Sequence, residues 1–222
     1  MVKIGVCLSG CGFLDGSEIH EATLSLYHLD RHGVETHVFA PDKPQKDVVD
    51  HRTGQAVPGE SRNVLSEGAR IARGVIEPLS ALRTQELDGL ILPGGYGVAK
   101  NLCGFAEKGV EGEVLPELQQ ILRELHSAAK PIGAICISPV LVAMAFRGTE
   151  VAPLLTIGED PSTAQAIEAL GGRHMVRGVE EIALDSENRI VSTPAYMYDA
   201  RISEVAVGIG KLVDQVLALT QG

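Results

Sequence analysis

Tryptophan is absent from the 222-residue chain, and aromatic residues of all kinds make up 4% of it. A core without aromatic bulk must be filled by Ala, Val, Ile and Leu, which suits a parallel sheet covered by helices. Positive charge is also scarce. The 19 Lys and Arg against 29 Asp and Glu give a formal net charge of −10. That balance excludes the broad basic face that holds nucleic acid and argues against an anionic membrane surface. No apolar run reaches the roughly 20 residues that span a bilayer. There are 4 cysteines, Cys7, Cys11, Cys103 and Cys136, and none shows the paired spacing of a metal site. Four such thiols fit a reducing compartment, so a cytoplasmic location is expected. The first residues already read as a strand, so no signal or transit segment is visible within the sequence, and a presequence removed ahead of residue 1 stays open.

What is present is an alternation of apolar runs and amphipathic segments. Apolar residues make up 45% of the chain, enough for one α/β domain over residues 1–222. Strands are expected at Val2–Leu8, Val34–Ala40, Asp88–Leu92, Ile132–Ile135, Leu154–Ile157 and Arg189–Thr193. His174–Val176 and Ile182–Leu184 are short strand candidates, and a small hairpin is expected over Val48–Val57. Helices are expected at Glu18–His32 with Ser17 as cap, from Ser61 to Arg73, and from near Val98. Further helices are expected at Val114–Ala129, Pro139–Phe146, Pro161–Leu170 and from Asp199 to near Leu219. Glu77–Leu82 is ambiguous, and Gly104–Gly112 reads as a polar loop. No repeat or low-complexity tract interrupts this order, which predicts a doubly wound, mostly parallel sheet with helices on both faces.

The segment Ala129–Phe146, AKPIGAICISPVLVAMAF, carries the chemistry. A buried strand runs into Cys136, and a helix with Pro139 in its first turn follows directly. A nucleophile at a strand-to-helix bend is a nucleophile elbow. The helix N-terminus aims unpaired N–H groups and partial positive charge at it. That setting predicts a thiol pKa below the unperturbed ~8.5, against the alternative of an inert buried cysteine.

Ligands of such sheets bind outside the carboxyl ends of the strands. Three loops fall there: Ser9–Ser17, Pro93–Gly97 and Cys136–Pro139. The N–H groups of Gly94, Gly95 and Ile137 are candidates for an oxyanion hole. The opening Gly-x-Gly of the first loop lacks the third Gly of a dinucleotide site. Glu18 and Glu21, three apart near a helix start, share a face and are candidate partners of Cys136. His20 points elsewhere on an ideal helix and reads as a pocket-edge residue, without being dismissed as the base.

The motifs LSGCGFLDGSEIHEA, FAPDK, ESRNVLSEGARIARG, LPGGYGVAKNL, NLCGFA, KPIGAICISPVL, LTIGED and TPAYM cover nearly the whole chain. Together they resemble the ElbB glyoxalase-like family of the PfpI and class I glutamine amidotransferase-like superfamily. The resemblance implies a flavodoxin-like three-layer sandwich, a nucleophile at Cys136, a partner glutamate at Glu21, and oxyanion donors at Gly95 and Ile137. Two features depart from the wider pattern. Ile137 stands where protease-like members carry His, and the loop Ile157-Gly-Glu-Asp160 lacks the His of a Cys-His-Glu triad. The family name also carries a link to isoprenoid biosynthesis.

The function this implies is a cofactor-independent, metal-free glyoxalase. It would convert methylglyoxal or glyoxal to lactate or glycolate through a Cys136 hemithioacetal. Slow turnover would fit the absent His. The alternatives are an amidotransferase-like subunit that passes ammonia to a partner, and a redox-sensing or regulatory protein signalling through Cys136. A homodimer is expected, that being the commonest closed assembly.

Overall fold

The computed structural model describes residues 1–221. Gly222, the last residue of the expected domain, lies outside the described residues. In chain order the elements are β1 (Lys3–Cys7), α1 (Ile19–Arg31), β2 (Glu35–Ala40), β3 (Val49–Asp50), β4 (Gln55–Ala56), α2 (Val64–Ile71), β5 (Glu77–Pro78) and β6 (Gly89–Leu92). There follow α3 (Phe105–Lys108), α4 (Pro116–Ser127), β7 (Ile132–Ile135), α5 (Ser138–Phe146), β8 (Leu154–Leu155), α6 (Pro161–Ala169), β9 (Arg173–His174), β10 (Ala183–Asp185), β11 (Ile190–Thr193) and α7 (Ile202–Thr220).

Seven strands form one sheet in the order β10-β11-β7-β6-β1-β2-β5. All neighbours pair parallel except the edge pair β10–β11. The central strands β6 and β7 are buried along their whole length. They read as unbroken apolar runs because both faces are covered. One face packs on α1, α2 and α7 through Ala22, Leu29, Val64, Val205, Leu212 and Val216. The other packs on α4, α5 and α6 through Leu118, Leu122, Leu141, Met144 and Ile167. This is the three-layer α/β sandwich that the alternation of patterns implies.

Several local expectations are corrected. Glu18, not Ser17, caps α1, its carboxylate accepting from the Glu21 N–H at 2.8 Å. Ser17 instead turns inward and accepts from the Ser9 N–H at 2.8 Å. Asn63 caps α2, so that helix starts later than Ser61. The segment from Val98 forms a single π turn over Val98–Leu102, a form frequent near functional sites. The polar stretch after Gly104 holds the short helix α3. Leu154–Leu155 pairs with Arg173–His174 outside the main sheet, and α7 begins at Ile202 rather than Asp199. Glu77–Pro78 resolves as an edge strand on β2. The hairpin forms where expected, as β3 and β4.

Candidate active site

The parallel strands deliver their loops to one edge of the sheet. Cys136 leaves β7 with φ of 60°, a left-handed conformation unusual for a residue with a Cβ. Its N–H donates to the Thr193 carbonyl of β11 at 2.9 Å, which anchors the bend. The Ser138 hydroxyl donates to the Pro93 carbonyl at 2.8 Å and ties the start of α5 to the loop after β6. Backbone strain held by surrounding bonds at a nucleophile is a common functional device.

Glu21, in the first turn of α1, is fully buried. Its Oε2 accepts from the Gly94 N–H at 2.8 Å, and its Oε1 from the Tyr196 N–H at 3.4 Å. The Glu21 carboxyl and the Cys136 thiol are neighbours, and each shifts the titration of the other. The N–H groups of Gly95 and Ile137 lie beside the Cys136 side chain and favour its charged form. These two donors therefore converge where negative charge on sulfur, or on an oxygen beside it, would develop.

Gly94 has no room for a side chain. A Cβ there would meet the Cys136 Cβ at 2.5 Å and Glu21 Oε2 at 2.6 Å. Gly95 has φ of +96°, and a Cβ would meet the Glu18 N at 2.4 Å and the Gly16 carbonyl oxygen at 2.5 Å. The glycine pair lets the main chain approach both the thiol and the first loop. Gly94 thus serves Glu21, while Gly95 and Ile137 serve Cys136.

The electrostatics correct one expectation. The Cys136 thiol is pushed well above its ordinary value, first by burial and then by the neighbouring Glu21 carboxylate. The two N–H donors pull it down without reversing the shift. A helix N-terminus was expected to lower this pKa. Desolvation outweighs it, because the thiol sits on the floor of the site and not on its rim. Glu21 is pushed up to about 8, first by burial and then by the charge of Glu18. A carboxyl with that pKa is positioned to hold or release a proton near neutral pH.

Glu18 and Glu21 do not lie side by side as paired catalytic candidates. Glu18 is spent on the helix cap and reaches the cleft mouth, whereas Glu21 reaches the thiol. The ring Nδ1 of exposed His20 lies 2.8 Å from the Tyr196 hydroxyl. His20 therefore stands behind Tyr196 and outside the cleft lining. Among the described residues, no histidine takes a triad position beside the thiol. His174 instead accepts from the Ile157 N–H at 3.5 Å.

The thiol opens into a cleft of ≈500 Å³. Its walls include Phe13, Tyr96, Phe105, Tyr196 and the start of α6. Tyr196, in the loop after β11, supplies an N–H to Glu21 and a wall to the cleft. Asp160 was read as the end of a strand loop, yet it caps α6 at the cleft by accepting from the Thr163 N–H at 2.7 Å. The motifs TPAYM and LTIGED contain both residues, but neither has a spacing that announces a role. A larger cleft of ≈610 Å³ between Thr84 and α4 shares no lining residue with this one and holds no cysteine. Among the described residues, no group of three or more His, Cys, Asp or Glu is placed to hold a metal ion.

Comparison with known proteins identifies the family. No family model matches the chain. The chain is 46% identical over 227 residues to the ES1 protein homolog, mitochondrial, of Rattus norvegicus, covering 98% of this chain and 84% of that protein. It is 47% identical over 227 residues to the human glutamine amidotransferase-like class 1 domain-containing protein 3, mitochondrial, covering 98% and 83%. A solved structure of an isoprenoid biosynthesis protein with amidotransferase-like domain from Ehrlichia chaffeensis superposes with a TM-score of 0.92 at 41% identity, covering 99% of each chain. The rat and human relatives are both named mitochondrial, which overturns the cytoplasmic expectation drawn from the four thiols. Cysteine count reports on redox conditions, which the mitochondrial interior and the cytosol can share, and does not separate the two. The chain belongs to the ES1 and ElbB family of class I glutamine amidotransferase-like proteins.

Proposed function

We propose that the protein is a glutathione-independent glyoxalase-type lyase acting on 2-oxoaldehydes, with methylglyoxal and glyoxal as the smallest members. The observation that carries this reading is the buried pair of Cys136 and Glu21, with two N–H donors converging on the sulfur. In the proposed reaction Glu21 takes the thiol proton as sulfur bonds to the aldehyde carbon. The resulting alkoxide is held by the N–H groups of Gly95 and Ile137 and receives the thiol proton back from Glu21, which gives the hemithioacetal and leaves Glu21 as the carboxylate. Glu21 then removes the proton from that carbon and returns it to the neighbouring carbonyl carbon, through an enediol. The hydroxyl proton passes to the second oxygen. The aldehyde carbon is oxidised to a thioester and the ketone carbon is reduced to an alcohol, so no external oxidant or reductant enters. Water hydrolyses the thioester to lactate or glycolate and frees the thiol.

The amidotransferase reading takes support from the names of the relatives. The absence of a triad histidine weighs against it. So does a cleft lined by Glu18 and Asp160 and, among the described residues, by no Lys or Arg to receive the carboxylate of glutamine. A redox-sensing role would need an accessible thiolate, and burial of Cys136 disfavours one. A mitochondrial setting is supported by the names of the curated relatives, and a homodimer by the family resemblance. Light scattering at micromolar concentration tests the dimer.

The direct test is lactate formation from methylglyoxal by protein stripped of metal and free of glutathione. Wild type should produce lactate, and Cys136→Ser should not. Equal lactate from the two proteins would remove the reading.

A further inference from the structure

The cleft over Cys136 is built from residues in which the rest of the chain is poor. Phe13, Phe105, Tyr96 and Tyr196 line it, four of the eight Phe and Tyr residues in a chain with no Trp. They come from four separate segments: the loops after β1, β6 and β11, and α3. Phe13 is 46% exposed and Tyr96 is 56% exposed. Such broad apolar side chains left open to water around a concave site mark it as a surface for a ligand.

The rim is also held in place. The Tyr96 N–H donates to the Phe13 carbonyl at 2.7 Å, joining the two exposed residues through their main chains. The Phe13 ring meets the His51 ring edge-on, with centroids 5.4 Å apart. Tyr196 is fixed by its N–H to Glu21 and its hydroxyl to His20. Aromatic walls fixed in this way offer faces and edges for another flat ring.

Size points the same way. At about 30 Å³ for each water-sized group, the ≈500 Å³ of the cleft has room for roughly fifteen heavy atoms. Methylglyoxal has few enough atoms to leave most of that space as water. Charge restricts the occupant further. Glu18 and Asp160 stand in the wall, and no Lys or Arg among the described residues lines it. The Asp160 carboxyl is held below its ordinary range by the Thr163 hydroxyl, then by the Ser162 hydroxyl and the Thr163 N–H, so it remains charged.

We propose that this cleft selects a neutral carbonyl electrophile bearing an aryl or similarly broad apolar substituent next to the reacting carbon, and excludes anionic ones. The proposal rests on Cys136 being the group that meets the substrate, and it names the substrate class of that site.

Covalent probes test it without relying on turnover. Phenacyl bromide, iodoacetamide and iodoacetate are reacted with the full chain, and labelling at Cys136 is followed by peptide mass spectrometry. Each rate is divided by the rate of the same probe with N-acetylcysteine. The normalised rate of phenacyl bromide should exceed that of iodoacetamide at least ten-fold, and that of iodoacetate should fall at least ten-fold below it. Phe13→Ala and Tyr96→Ala should each cut the aryl preference several-fold. Asp160→Asn keeps a good helix cap and should raise the relative iodoacetate rate. Equal normalised rates for the neutral probes, a favoured iodoacetate, or no labelling of Cys136 by any probe would overturn the proposal. Wild-type selectivity decides the matter even where a variant fails to fold. Selectivity without lactate formation would remove the glyoxalase reading and leave this one standing. Lactate formation without selectivity would do the reverse.

Discussion

Two buried thiols lie at the carboxyl ends of parallel strands in one sheet, and the contrast between them isolates what makes a site. Cys7 ends β1 and Cys136 follows β7. Burial pushes Cys7 up to about 12 and pushes Cys136 well above its ordinary value too. Burial therefore does not tell them apart. Cys7 packs among Phe39, Leu92 and Val140, as a small apolar side chain. Cys136 has a buried carboxyl, two converging N–H donors and an opening to the cleft. Partner geometry, and not a low resting pKa, separates the two. The proton that Cys136 must lose has somewhere to go, and the proton on Cys7 does not.

The largest expected effect breaks the contrast at the proton acceptor. Glu21→Gln preserves side-chain volume and removes the group that would take the thiol proton. Turnover of methylglyoxal should fall ~10²–10⁴-fold, while Cys7→Ser should leave it within about two-fold, by the same reasoning that a residue outside the site has no part in the transition state. Steady-state lactate assays on both variants check this. Loss in Cys7→Ser with retention in Glu21→Gln would invert the account.

Stability against pH sharpens the contrast from the folded-state side. Glu21 has its pKa raised from 4.5 to about 8 by burial. Its folded form thus keeps a proton that its unfolded form releases. The associated stability is fully present below pH 4.5 and is lost as pH rises towards 8. The total is on the order of a few kcal/mol. Urea unfolding across this range should show a decline in wild type that Glu21→Gln flattens. Cys7 titrates too high to contribute there.

A smaller effect comes from the glycine between the two catalytic candidates. A Cβ at Gly94 would lie 2.5 Å from the Cys136 Cβ and 2.9 Å from the Ile135 carbonyl oxygen. Gly94→Ala should cost about 1–3 kcal/mol of stability through overpacking. It should also displace Glu21 or Cys136 and slow turnover. Thermal unfolding and the lactate assay together check both parts.

The sequence carried the elbow clearly, because a short apolar strand, a Cys and a Pro-started helix are adjacent along the chain. The order of the central strands and the flanking helices was legible for the same reason. Glu21 was harder. Its pairing with Cys136 joins residues far apart in sequence, and helical spacing alone kept Glu18, Glu21 and His20 all open. The family resemblance singled out Glu21, and the structure places that residue against the thiol. The capping role of Glu18 and the wall residues Tyr196 and Asp160 were not legible. Each acts through main-chain bonds or through packing across loops, and side-chain type alone does not reveal such contacts. The direction of the thiol shift was misread because the helix terminus is visible in sequence, whereas depth of burial is a property of the fold.

The central claim is that Cys136 and Glu21 act as a coupled pair in which the carboxylate holds the thiol proton on. The measurement that tests it most directly is the alkylation rate of Cys136 by iodoacetamide against pH, read by mass spectrometry in wild type and Glu21→Gln. In wild type the rate should keep rising above pH ~8.5, the ordinary thiol value. Glu21→Gln removes the carboxylate charge that raises the thiol, so its profile should shift to lower pH, and its rate above pH 8, where the wild-type carboxyl is ionised, should exceed that of wild type. A wild-type rate that levels off below pH 7, or a profile that Glu21→Gln leaves in place, would contradict the account.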